Sequence, residues 1–199
     1  SMIQIKNAAE LQKMRKACAI SAAALKAGGE AIEPGITTAE IDKIIYDFIV
    51  RHGARPNFLH LYGFPATACI SVNDTVIHGI PNKQQQIRPG DIVSIDTGCK
   101  IDGFNGDNAC TYACGKIDLE AQRLLDVTKE SLHRGIEMAC GGNRVGDIGH
   151  AVQSYVEENG FSVVRTFVGH GVGKELHEDP EVPLSLIHIS EPTRLLSIS

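Results

Sequence analysis

Apolar residues recur at two different periods along this chain. Asn7 with Glu10 has the form of a capping box, and Leu11, Met14, Cys18, Ser21 and Leu25 then follow at helical spacing. This predicts a long amphipathic helix that ends at Gly28-Gly29. After Pro34-Gly35, Thr37 and Glu40 open a second helix, with Ile41, Ile44, Ile45, Phe48 and Ile49 on one apolar face and His52-Gly53 closing it. In the middle third the period shortens. Ala68 to Val72, Ile92 to Thr97 and Ala109 to Ala113 read as strands, separated by turn signals at Asn73-Asp74, Pro81-Asn82, Pro89-Gly90 and Asp102-Gly103. An antiparallel sheet is expected there. Helical periodicity returns from about Asp118 to Cys140, breaks at Gly141-Gly142-Asn143, and resumes from about Val145 to Glu158 before Asn159-Gly160.

The later order of elements repeats the first. Ile41, Ile45, Phe48, Ile49 and Gly53 correspond at one fixed offset to Ile148, Val152, Tyr155, Val156 and Gly160. Any two amphipathic helices can be overlaid, so the repeat is an expectation for the structure to test. It carries a consequence: the first copy runs on past Gly53 through about 60 residues of sheet, whereas about 40 residues follow Gly160. On this reading the second sheet is incomplete.

Composition narrows the class. The 199 residues, 43% of them hydrophobic, suffice for one globular domain, and a formal net charge of -5 without a basic stripe argues against nucleic acid or an anionic membrane as partner. No apolar run is long enough to span a bilayer and the first residues hold no signal core, so a cytoplasmic location is expected. The six cysteines form no CxxC pair, which favours reduced thiols. Cys110 and Cys114 fall on one face if both lie in a strand, but no partners complete a zinc site around them.

Two clusters could carry chemistry. Asp96 and Asp107 lie in strand-like segments joined through Asp102-Gly103, and antiparallel pairing through that turn can bring both carboxylates to one face. Such a pair is costly unless a cation sits between them. Equally, aspartates near glycine often serve as solvated turn formers. The second cluster is GHGVGKELHEDP, in which Gly169, Gly171 and Gly173 surround His170, and His177 follows seven residues later. The spacing is not that of a helical HExxH site, and a glycine-rich loop with surface histidines would read the same way. His78, in TVIHGIP, is either a cleft residue or a polar turn residue. His52, His60, His133 and His150 are assigned no role.

Taken together, ACISVNDTVIHGIP, RPGDIVSIDTG, DGFNGD and GHGVGKELHEDP, in this order and at closely similar separations, resemble the type I methionine aminopeptidases from about Met2 to Pro183. The resemblance implies an α+β "pita-bread" (creatinase/aminopeptidase-like) fold of two pseudo-symmetric halves around an antiparallel sheet, here with the second half incomplete. It also implies a pair of divalent metal ions (manganese, iron, cobalt or zinc) held by two aspartates, one histidine and two glutamates. Asp96, Asp107 and His170 match the first three ligands. His78 and His177 match histidines that contact substrate and stabilise the tetrahedral intermediate. Phe58, Leu61, Phe64, Cys69 and Leu176, with His78 and His177, match the lining of the methionine pocket, although relatives commonly carry aromatic residues at the positions of Leu61 and Leu176. The implied partners are nascent peptides with an amino-terminal methionine emerging from the ribosome, acted on by a monomer.

The chain departs from the family after HEDPEVP. Where the two glutamate ligands are expected it reads LSLIHISEPTRLLSIS, whose opening resembles translated sequencing-library adapter. The expected division is therefore a partial catalytic domain over 2–183 and a non-native tail over 184–199, in which His188 and Glu191 are not taken as substitute ligands. Two further functions are compatible with the fold so implied: a non-catalytic pita-bread module that binds peptides or proteins, and a peptidase acting on Xaa-Pro bonds.

Overall fold

Helix α1 spans Ala8–Glu30 and α2 spans Thr38–Arg51, and both begin on the capping boxes read from the sequence. The Asn7 side chain accepts the Glu10 N–H at 2.9 Å, and the Glu10 carboxylate accepts the Asn7 N–H at 3.0 Å. Thr37 and Glu40 repeat the exchange at 3.1 and 2.7 Å. Two expectations for α1 need correction. It runs through Gly28-Gly29 instead of stopping there, and Cys18 is exposed, while the buried face is Ala17, Ser21, Ala24, Leu25, Gly28 and Gly29. The reason is proximity: a Cβ on Gly28 would lie 2.7 Å from the Ile45 side chain, and one on Gly29 would strike the Tyr112 ring. These glycines bring elements close together and do not break the helix.

The computed structural model describes residues 2–73, 79–163 and 168–184. Contacts divide the chain into two units, one formed by Ile5–Asp118 with Val172–Leu176, the other by Ser1–Gln4, Leu119–Gly171 and His177–Ser199. The first unit holds α1, α2 and a four-stranded antiparallel sheet: β1 (Arg55–Pro56), β2 (Ala68–Val72), β3 (Ile92–Ile101) and β4 (Phe104–Ala113). Strand β3 is central, pairing with β4 along its whole length, with β2 over Val93–Thr97 and with β1 at Cys99–Lys100. The β3–β4 strands are longer than their apolar runs because the turn is tight. Asp102 and Gly103 both take positive φ, 52° and 82°, so pairing starts directly at Ile101 and Phe104.

One face of this sheet packs on the helices. Ile70, Val93, Ile95 and Cys99 join Ile41, Ile45, Ile49, Ala24 and Leu25 in one buried core. Where α1 crosses β4 the backbones nearly touch: a Cβ on Gly106 would sit 2.5 Å from the Ala17 carbonyl oxygen. The Asp42 carboxylate ties α2 to the start of β2 by accepting the N–H groups of Thr67 and Ala68 at 3.0 and 2.7 Å. Burial pushes that carboxyl upward, against the opposing pull of the same two hydrogen bonds. Cys110 is exposed and Cys114 buried, and Cys114 lies just past the end of β4 at Ala113.

The second unit pairs α3 (Leu119–Met138) with α4 (Val145–Glu158) and carries a ribbon of β5 (Gly169–Gly171) and β6 (Glu178–Val182). Val127, Ser131 and Gly135 of α3 are buried, as are Val145, Gly149, Val152 and Val156 of α4. Gly149 admits the Pro183 carbonyl against α4. Among the described residues no helix is long and apolar enough to cross a membrane.

Candidate metal centre

Register decides where the two aspartates fall. Asp96 pairs with Ala109, and Asp107 pairs with Gly98, so the carboxylates are diagonal neighbours on the same face of the β3–β4 ribbon. That face also bears Ser94, Thr111 and, from β2, Cys69, which stands opposite Asp96. It is the face turned away from α1 and α2, and the Asp96 side chain stays open to solvent there. Even so, the protein packed around the Asp96 carboxyl, then the charge of Asp107 and a hydrogen bond shared with it, push its pKa up to about 7. Two carboxyl groups sharing a proton are a ready receptor for a divalent cation, which would replace the proton and remove the repulsion.

His170 and His177 lie in the second unit, with ring centroids 4.3 Å apart and planes inclined by 58°. A bulge between His170 and Gly171 breaks the β5–β6 register. The His170 Nδ1 lies 2.9 Å from the Gly171 carbonyl oxygen. Donation from Nδ1 to that carbonyl fixes the tautomer and makes Nε2 the acceptor atom of the ring, the usual arrangement of a metal-ligating histidine. Carboxylates such as Asp96 and Asp107, and an imidazole such as that of His170, each suit a divalent metal in their chemistry. Among the described residues no group of three or more His, Cys, Asp and Glu side chains is gathered as a metal site. His78 lies outside the described residues, as do His188, Glu191 and the rest of 185–199.

Of the residues matched to the methionine pocket, Leu61 and Leu176 line one cleft of about 530 Å³ in the first unit, together with Tyr46, Arg55, Asn57 and Asn105. Phe58, Phe64 and Cys69 are half-buried and do not line that cleft. The segment from Phe58 to Phe64 is tightly wound: His60 donates to the Phe64 carbonyl at 2.7 Å, and His60 and Tyr62 both take positive φ, 68° and 49°. Asn57 and Asn105 were not singled out from the sequence. The signal for Asn105 is that a polar residue occupies an inward position within DGFNGD, where it is 2% exposed.

Comparison with known proteins places the fold. Residues 12–197 match the profile of Metallopeptidase family M24, and the helices and antiparallel sheet are those of a pita-bread metallopeptidase. A methionine aminopeptidase of Clostridium perfringens is 53% identical over 182 residues, covering 92% of this chain and 73% of that protein. The crystal structure of methionine aminopeptidase from Thermotoga maritima superposes with a TM-score of 0.92 at 39% identity, covering 98% of this chain and 78% of that one. A prolidase from Pyrococcus furiosus, at 24% identity and a TM-score of 0.81, shares the fold; it covers 96% of this chain and 54% of its own. The chain belongs to the methionine aminopeptidases of metallopeptidase family M24.

Proposed function

We propose that this chain carries the amino-terminal share of a dinuclear site that removes the initiator methionine from nascent polypeptides in the cytoplasm. The observation that carries the reading is the Asp96–Asp107 carboxyl pair on the face that the helices leave uncovered. Asp96, Asp107 and His170 are the proposed ligands, and two bound divalent ions would supply Lewis acidity and an activated water. His78 and His177 would face the scissile peptide, where imidazole N–H groups can stabilise the negative charge that develops on its carbonyl oxygen. Phe58, Leu61, Phe64, Cys69 and Leu176 would surround the methionine side chain, whose thioether favours aromatic and sulfur contacts.

The family resemblance implies two glutamate ligands after HEDPEVP, and the sequence from Leu184 to Ser199 matches neither. We therefore propose that residues 184–199 are a foreign tail and that this 199-residue polypeptide does not itself turn over substrate. The test measures methionine release from a Met-Ala-Ser peptide with manganese or cobalt. One sample is the chain as it stands, and the other replaces everything after Pro183 with the corresponding segment of the Clostridium perfringens relative. Activity in the second alone supports both proposals. Activity in the first would overturn the need for the glutamates. Silence in both, or a preference for Ala-Pro over Met-Ala peptides, would overturn the substrate.

A further inference from the structure

The short segment Val172–Leu176 between the two histidines belongs to the first unit, and one side chain accounts for much of its attachment. Asn105 sits two residues before Asp107 on β4. Its backbone N–H donates to the Gly173 carbonyl at 2.9 Å, and its Nδ2 donates to the carbonyls of Gly173 and Lys174, both at 3.0 Å. The remaining polar atom, Oδ1, accepts from Asn57 Nδ2 at 3.1 Å. Asn57 is in turn set against the sheet, its N–H donating to the Gly98 carbonyl at 3.3 Å. Lys100 adds a fourth bond to the segment, from Nζ to the Lys174 carbonyl at 2.9 Å, and Lys174 itself reaches Glu10 at 3.1 Å.

The chemistry of this arrangement is specific. A primary amide offers two donors and an acceptor in one plane, so Asn105 can hold two successive carbonyls and still be held by Asn57. The Asn105 amide is itself buried, where an unmade hydrogen bond is expensive, so the segment has one favoured placement and not several. Two residues beyond Lys174 the segment ends in Leu176, which shares a cleft wall with Leu61. Because Asn105 and Asp107 are on the same short stretch of β4, the position of that wall is tied to the strand bearing a proposed metal ligand.

We propose that Asn105, supported by Asn57, is a specificity-positioning residue: it holds Val172–Leu176 so that Leu176 is set against the substrate side chain. The proposal rests on the methionine aminopeptidase reading above for what occupies the pocket, but not for how the segment is held. It makes a distinction between shape and hydrogen bonding. Asn105→Asp keeps the shape and discards both donors, so it should loosen the segment as much as Asn105→Ala, while Asn57→Ala should loosen it less.

Two measurements test this. Hydrogen exchange on the 199-residue chain, followed over 172–176 and over the β3–β4 ribbon, should show exchange at least about tenfold faster over 172–176 in Asn105→Ala and Asn105→Asp, with the ribbon unchanged. In the chain completed after Pro183, the same variants should lose about tenfold in preference for Met-Ala-Ser over Leu-Ala-Ser, through KM and with the pH profile of kcat unmoved. Unchanged exchange over 172–176, or Asn105→Asp behaving as the parent, would overturn the proposal. So would faster exchange of the whole ribbon, or a fall in kcat with the preference intact, since either makes Asn105 a general support of the metal strand. If the completed parent is inactive, the substrate reading fails, and the exchange result alone decides whether Asn105 holds the segment.

Discussion

The helix pair α1–α2 and the helix pair α3–α4 are the same device built twice. Gly28 lets α1 approach Ile45 and Ile41, and Gly135 lets α3 approach Val152 and Ile148, with hypothetical Cβ distances of 2.7 and 2.8 Å to Ile45 and Val152. Thr37 and Glu40 cap α2; Arg144 and Asp147 stand in the same places on α4, where the Asp147 carboxylate accepts the Arg144 N–H at 2.6 Å. Gly53 and Gly160 both follow their helices with positive φ, 75° and 80°. The pairs differ on their outer faces. On α1 the face away from α2 is made of small residues, Ala17, Ser21 and Gly29, buried beneath β3 and β4. The positions of α3 at the same offset are Leu124, Thr128 and Ile136. Leu132 and Ile136 are each 58% exposed, and among the described residues the second unit has only the β5–β6 ribbon. A repeated sequence pattern thus specifies the helix pair, while what lies on its outer face sets how small the residues there must be.

This comparison can be broken in several places. The largest effect should come from the feature that the first unit alone possesses. Asp107→Ala should weaken binding of manganese or cobalt by at least about 100-fold, read by titration calorimetry, and unchanged binding would remove the carboxylate pair from the metal site. Next is the close crossing of α1 over β4. Gly106→Ala places a methyl group against backbone that cannot rotate away, and should cost about 2–3 kcal/mol in denaturant unfolding.

The two helix contacts should then respond alike. Gly28→Ala and Gly135→Ala each gain about 1 kcal/mol of helix propensity and lose more to overlap with a side chain, for a net cost of about 1 kcal/mol each. A large difference between them would end the claim that the pairs are equivalent.

A pH effect should accompany these. The folded pKa of Asp96 is raised to about 7, whereas an unfolded aspartate titrates near the ordinary value of 3.8. Between those values the folded state binds more protons, so the stability of the metal-free chain falls as pH rises from about 4 to about 7. Asp96→Asn should flatten that slope in melts across the window. The smallest effect belongs to the outer face of α3: Leu132→Lys and Ile136→Lys should change stability by less than about 0.5 kcal/mol. In contrast, Ala24→Lys, within the buried face of α1, should prevent folding.

The periodic segments were legible because their information is local. Both capping boxes of the first unit, the ends of α2 and α4, strand β2 and the Asp102-Gly103 turn stand where spacing and turn chemistry put them. The pairing of Asp96 with Asp107 was legible for the same reason, since a two-residue turn fixes register and register fixes the face. The strand ends were less so. Lys100, Asn105 and Gly106 lack the apolar alternation of a strand and belong to β3 and β4 only because the tight turn pairs them.

Sequence by itself determined the family, the repeated helix pair and the two aspartates on one face, all of which follow from short-range pattern and spacing. Tertiary structure decided the rest. Gly28-Gly29 reads as a helix end until Ile45 and Tyr112 occupy the space a side chain would fill. Asp96 pairs with Asp107 on local pattern, but the packing that raises it most comes from the surrounding protein. Asn105 is not singled out by local pattern, and its place is set by two carbonyls from far along the chain, those of Gly173 and Lys174, that meet its amide. In each case the deciding partner is distant in sequence, and local pattern carries no record of a neighbour that only folding supplies.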